Sequence, residues 1–175
     1  RKCKMIYPDF LKKGDTIGIT APSDGNRKPM DFARLDLAEE RIRKEGFCVL
    51  ETENVRQSDG RGRSSAREQR AEQLMSLFEN PEVKYIFSAK GGDFLMEILP
   101  LLDLDVIRRN PKWFQGFSDN TGLTYTLAVN CHTATVYGNH FNDFSMEPWH
   151  SAVRNNAEIM TGNILEQFSF DAYED

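Results

Sequence analysis

Apolar residues fall into two rhythms along this chain. Some form short unbroken runs, and others recur every three or four positions over longer stretches. The first rhythm marks buried strands and the second marks helices with one face in a core. Residues 15–22 (DTIGITAP) read as a strand ending in a turn. Residues 30–45 place Phe32, Leu35, Leu37, Ala38 and Ile42 among charges as an approximate helical stripe. Gly46 stops that helix, because glycine takes positive φ freely. Cys48 to Glu53 is a second strand, followed by a polar loop over 56–64. Ser65 and Glu68 have capping-box spacing, so a helix is expected to start there. Its apolar face carries Ala71, Leu74, Leu77 and Phe78, and it ends near Asn80-Pro81. Val83 to Ser88 is a third strand, Gly91-Gly92 a tight turn, and Leu95, Ile98 and Leu99 belong to a short helix. Residues 103–109 make one or two helical turns, and Trp113 to Phe117 a fourth strand. Asp119 to Asn130 is a helix, Thr133 to Tyr137 a fifth strand, and 151–161 a last helix.

Alternation of strands and helices implies parallel strands joined by right-handed crossovers. The expected fold class is α/β, an open, mostly parallel sheet with helices on both faces. Ligands of such folds bind beyond the carboxyl ends of the strands. Three sharp features fall there: the turn after strand one, Gly91-Gly92, and Ser118.

Composition keeps that picture and narrows the partners. A chain of 175 residues suits one domain and is short for two. Hydrophobic residues at 39% and charged residues at 28% are those of a globular protein. A net charge of −5 lacks the basic excess of a nucleic-acid binder. No run of about 18 apolar residues is present, so no membrane-spanning helix is expected. The basic start from Arg1 to Leu11 does not read as a secretory signal peptide. Cys3, Cys48 and Cys131 form no CxxC pair, and reduced cytoplasmic thiols without a metal are the expectation. The lack of G-x-G-x-x-G and of a Walker loop counts against a nucleotide-binding domain.

The most informative segment is Gln115 to Thr121 (QGFSDNT), which joins an apolar strand to a helix. A serine at that junction sits on a sharp bend and points out of the sheet edge. The positive end of the next helix favours a developing negative charge beside it. Gly116 gives the bend room. The arrangement resembles the G-x-S-x-G nucleophile elbow, with Asn120 where the second glycine would stand. Ser118 also fits a plainer role as N-cap of the following helix, and Asp119 could do the same. Gly91-Gly92 ends the neighbouring strand in the simplest topology, so its amides face the same edge. Acyl transfer needs backbone donors aimed at the oxyanion that forms on the attacked carbonyl, and the amide after the nucleophile is the usual second donor. A loop that needs positive φ explains the two glycines equally well.

In chain order, Gly14-Asp15-Thr16-Ile17-Gly18 leads to Ala21-Pro22-Ser23, followed by Ala89-Lys90-Gly91-Gly92 and Leu99-Pro100-Leu101-Leu102-Asp103. Then come Asn110-Pro111-Lys112, Gly116-Phe117-Ser118-Asp119-Asn120-Thr121 and Tyr137-Gly138. This series resembles the N-terminal domain of the LD-carboxypeptidases, a family that includes the microcin-immunity peptidases. The likeness runs from about Leu11 to about Gly138. It implies a flavodoxin-like or class I amidotransferase-like domain over 1–175, with Ser118 as nucleophile. It also implies an oxyanion hole of the Gly92 and Asp119 amides, amide hydrolysis through an acyl-enzyme, and no metal or cofactor. The implied substrate is a murein peptide with a D-residue after an L-centre, recycled in the cytoplasm. The immunity-type branch instead cleaves a peptidyl or aminoacyl nucleotide. The Glu and His partners of the serine are implied to lie in a C-terminal domain beyond this chain. Without a base a serine hydroxyl is a weak nucleophile, so the chain alone is expected to be inactive. The full-length protein is expected to be a homodimer. Asn139-His140 stands where Pro often follows the family's Tyr-Gly.

Three histidines are candidates for a local base, and none is assigned. His132 is expected on the order of 20 Å from Ser118, at ~1.5 Å rise per residue along the helix between them. His140 lies on the correct edge and could approach the pocket, with a solvated loop residue the favoured expectation, while His150 has no special context. Arg56, Arg61, Arg63, Arg67 and Arg70 have Asp59, Glu68 and Glu72 among them, and read as a solvated mixed-charge surface. Phe141, Phe144, Met146 and Trp149 read as packing against a second domain. Two classes of function stay open: half of a serine carboxypeptidase, and a binding module in which Ser118 is only a cap.

Overall fold

Five short strands form one sheet in a computed structural model that describes residues 4–172. They are β1 (Thr16–Thr20), β2 (Cys48–Glu51), β3 (Val83–Ser88), β4 (Trp113–Gly116) and β5 (Val136–Tyr137). All neighbours are parallel, in the order β2-β1-β3-β4-β5. This is the open α/β sheet that the alternation predicts, and β3 does lie beside β4. The helices are α1 (Pro29–Lys44), α2 (Arg67–Glu79), α3 (Leu104–Arg109), α4 (Thr121–Asn130) and α5 (Ser151–Met160). None of them is long and apolar enough to cross a membrane.

Each face of the sheet carries its own core, because successive side chains of a strand point opposite ways. In β4, Trp113 enters one core and Phe114 the other. The first core joins Ile17, Ile19 and Phe87 to Leu35 and Ile42 of α1 and to Val153 and Met160 of α5. The second joins Ile86 to Leu74 and Leu77 of α2, Ile107 of α3 and Leu123 of α4. Gly18 lets α2 approach: a Cβ there would lie 3.0 Å from Leu77 Cδ1 and from Val83 Cγ1. Lys112, beside β4, is buried, and its Nζ donates to the Leu77 carbonyl at 2.7 Å and to the Asn80 carbonyl. That places a cation on the carboxyl end of α2, where the helix dipole favours it.

Several expectations change. The capping box does not form: α2 starts at Arg67 without a side-chain cap, Ser65 Oγ is buried without a partner, and Glu68 pairs with Arg67. The fifth strand shrinks to two residues, preceded by a bridge between Ile6 and Thr133. Phe141 and Phe144 do not face outward toward a second domain. Both are fully buried against Phe87, edge to face, closing the core over β3. Trp149 packs on Phe144, leaving only Met146 of that group exposed. Cys48 is exposed and Cys131 buried, both as free thiols, while Cys3 lies outside the described residues.

Candidate active site

β1, β3 and β4 end side by side, and the loops leaving them build the site. Ser118 comes directly after the β4 edge, exposed, with a φ of 60°. A left-handed backbone at a residue with a Cβ costs of order 1–3 kcal/mol and persists only where its surroundings over-determine it. Gly116 makes part of that setting, since a Cβ there would lie 3.0 Å from Asn120 Cβ and 3.2 Å from Ser88 Cβ. Asn120 therefore packs across the strand end. Neither the 3-10 turn Ser118–Asn120 nor α4 has a side-chain cap, so the Ser118 hydroxyl does not serve as one.

Asp119 does not cap α4 either. Its carboxylate turns toward the neighbouring loops and accepts from Ser23 Oγ, from the Gly92 N–H at 3.0 Å and from the Leu95 N–H at 3.2 Å. Ser23 is fully buried in the turn after β1. One side chain thus ties together the loops after β1, β3 and β4. Sequence reasoning gave Asp119 an amide in the oxyanion hole and a possible cap but no tie between loops, and placed Ser23 in the turn after strand one.

The two glycines divide their roles in a way the resemblance does not imply. The Gly92 N–H is engaged by Asp119, so Gly92 is a tether and not a free oxyanion donor in this structure. Packing enforces this: a Cβ at Gly92 would lie 2.4 Å from Ser23 Oγ and 2.8 Å from the Gly62 carbonyl. Gly91 faces the serine instead, with its Cβ position 3.4 Å from Ser118 Oγ. The N–H groups of Gly91 and Asp119 have no acceptor among the described residues.

His140 also departs from expectation. It is not a solvated loop residue but only 6% exposed, stacked on the Phe117 ring with centroids 4.0 Å apart. Its Nε2 lies 3.2 Å from the Phe117 nitrogen and 3.1 Å from Asn120 Nδ2, and not on Ser118 Oγ. Burial draws its pKa below the ordinary histidine value. His132 follows the far end of α4, and the His150 Nδ1 accepts the Ala152 N–H at the start of α5. Neither reaches the serine.

The arginine group is only partly a solvated surface. Arg70 is fully buried and donates to the carbonyls of Pro22, Ser65 and Phe94 and to Glu97 at 2.5 Å. Arg63 lies 3.5 Å over the Phe94 ring and also pairs with Glu97. The hydrogen bonds from Arg63, aided by Arg70, hold the Glu97 carboxyl down at about 2. Together they brace the loops on which Ser23 and Gly92 stand. Beside Phe117, a groove of about 760 Å³ opens along Met30, Leu37, Asn139, Asn142 and Met146.

Residues 17–138 match the sequence profile of the LD-carboxypeptidase N-terminal domain. The chain is similar to a putative carboxypeptidase of Treponema pallidum, 33% identical over 79% of this chain and 40% of that protein. It is 31% identical to a probable murein peptide carboxypeptidase of Bacillus subtilis, over 75% of this chain and 40% of that protein. The microcin C7 self-immunity protein MccF of Escherichia coli is 32% identical over 73% of this chain and 37% of its own length. A ligand-free structure of MccF superposes with a TM-score of 0.82 and 28% identity over 89% of this chain and 47% of that one; MccF has also been solved with aspartyl sulfamoyl adenosine. This chain spans about 40% of the length of the curated relatives it matches.

Proposed function

Because the chain belongs to the LD-carboxypeptidase family, we propose that Ser118 is the nucleophile of a serine-type hydrolase whose remaining catalytic groups lie in a C-terminal domain of the full-length protein. One observation carries the reading. Ser118 has a strained backbone, and among the described residues its hydroxyl and the nearby Gly91 and Asp119 amides at the carboxyl edge of the sheet have no partner.

Ser118 Oγ attacks the carbonyl carbon of the scissile amide and gives its proton to a base of the second domain. The carbonyl oxygen becomes an oxyanion, and this reading assigns the Asp119 and Gly91 N–H groups as its donors. Collapse of that intermediate breaks the C–N bond, and the amine leaves with a proton. Water then attacks the Ser118 ester and frees the acid and the serine. In this reading Gly92 and Ser23 fix the loop, and the isolated 175-residue chain is inactive.

The substrate proposed is a murein tetrapeptide that loses its terminal D-alanine, in a cytoplasmic recycling role and in a homodimeric full-length enzyme. A second reading, hydrolysis of an aminoacyl or peptidyl nucleotide, is favoured by the likeness to MccF and by an exposed aromatic pair. Phe117 and Tyr137 stand edge to face at 6.5 Å, 38% and 65% exposed, and could stack a base. Mass spectrometry of products separates the two. The full-length parent is expected to release D-alanine from the tetrapeptide and to leave aminoacyl sulfamoyl adenosine intact. The opposite pattern selects the second reading, and no product from either substrate overturns both.

A further inference from the structure

We infer that His140 is a positioning residue for the proposed nucleophile, its neutral ring holding the backbone just before Ser118 and keeping the serine left-handed. The inference rests on the Ser118 reading above. His140 lies where the three parts of the site meet. Its ring stacks on Phe117 at an interplanar angle of 19°. Its Cε1 lies 3.2 Å from the position a Cβ of Gly91 would take, so the same ring touches the turn after β3.

The Phe117 N–H selects the tautomer. Two donors converge on Nε2, the Phe117 N–H at 3.2 Å and Asn120 Nδ2 at 3.1 Å. The Phe117 carbonyl, which accepts from Asn120 Nδ2 at 3.2 Å, is also within 3.1 Å of Nε2. With the Phe117 N–H directed at it, Nε2 is assigned as the acceptor, which puts the proton on Nδ1. A proton added to Nε2 would face both donors and break both bonds. The charged groups around the ring are Asp143 on its own turn, Asp119 on the elbow and Lys90 on the turn after β3. Asp143 also accepts the His140 N–H at 2.8 Å. Burial outweighs the contact with the Phe117 backbone and the two carboxylates, which act the other way, and lowers the pKa.

The sign follows. The fold holds the neutral form, while the unfolded chain protonates near pH ~6.5. The contribution of His140 is complete above that value and is lost as pH falls toward its lower folded pKa. The elbow is thus expected to loosen in acid.

The test combines a readout on this chain with one on the full-length enzyme. In the 175-residue chain, nitrogen-15 NMR should show Nε2 unprotonated at pH 7.5. Exchange of the Phe117 amide should quicken by about tenfold as His140 titrates, the mark of a local opening. His140→Phe keeps the stack and removes the acceptor. It should quicken that exchange at every pH and lower kcat of the full-length enzyme by about tenfold, with KM within about twofold. His140→Gln offers Oε1 as acceptor and cannot titrate; it should rescue the rate lost in His140→Phe and abolish the acid limb. A proton on Nε2 at pH 7.5, or Phe117 exchange that ignores both the titration and His140→Phe, overturns the inference. If His140→Phe does not fold, the wild-type titration decides alone. A full-length enzyme without hydrolytic activity would sink the Ser118 reading, yet the tautomer and exchange data would still judge His140.

Discussion

Ser118 is held left-handed between partners that come from distant parts of the chain. Asp119 reaches back 96 positions to Ser23 and 27 to Gly92. The two glycines separate experimentally. Gly92→Ala forces a Cβ to within 2.4 Å of Ser23 Oγ, and should lower unfolding free energy in urea by about 1–3 kcal/mol while abolishing activity of the full-length enzyme. Gly91→Ala has no contact under 3.2 Å, so stability in the same titration should change by less than about 1 kcal/mol. Its Cβ nevertheless crowds Ser118 Oγ, so turnover should fall. Equal loss of stability in both variants would contradict the division of roles drawn here.

The elements that carry these residues are fastened by a buried cation. Arg70 links α2 to the loops after β1 and β3, and replacing it with Met leaves three carbonyls without their donor, while Glu97 keeps Arg63. Leaving those carbonyls unpaired should cost about 1–3 kcal/mol, read from the urea midpoint. Glu97 supplies a pH test. Its carboxyl is held at about 2, below the usual 4.5, so its stabilising effect is complete above pH 4.5 and is lost as pH falls toward 2. Glu97→Gln should therefore shrink the stability drop across that window; an unchanged drop would exclude the Arg63–Glu97–Arg70 brace. The elements themselves were readable from sequence, because runs such as Val83–Ser88 and stripes such as Leu35, Ala38 and Ile42 report burial locally. The elbow was readable because a glycine, a serine and a helix start lie within a few residues. The carboxylate role of Asp119, the burial of Arg70 and the stacking of His140 on Phe117 were not. Each depends on a partner at least 20 positions away, set by strand order and invisible to periodicity. Ser65 shows the converse: good capping spacing, overridden when the loop buried its hydroxyl.

At the scale of the molecule, strand order decides what the site can be. With β1, β3 and β4 adjacent, three loops converge on one edge, and the aromatic layer of Phe87, Phe141 and Phe144 supports them from one face. Phe144→Ala should lower stability by about 3–5 kcal/mol in a denaturant titration, since a fully buried ring leaves a cavity. Acyl transfer by Ser118 requires a base, which the proposed function assigns to the full-length protein. The most direct test is D-alanine release from a murein tetrapeptide by the full-length enzyme and by its Ser118→Ala variant. The account predicts that the variant's release falls at least about a thousandfold, as for loss of a nucleophile acting with its base. Equal release by the two proteins would contradict it and return Ser118 to a structural role.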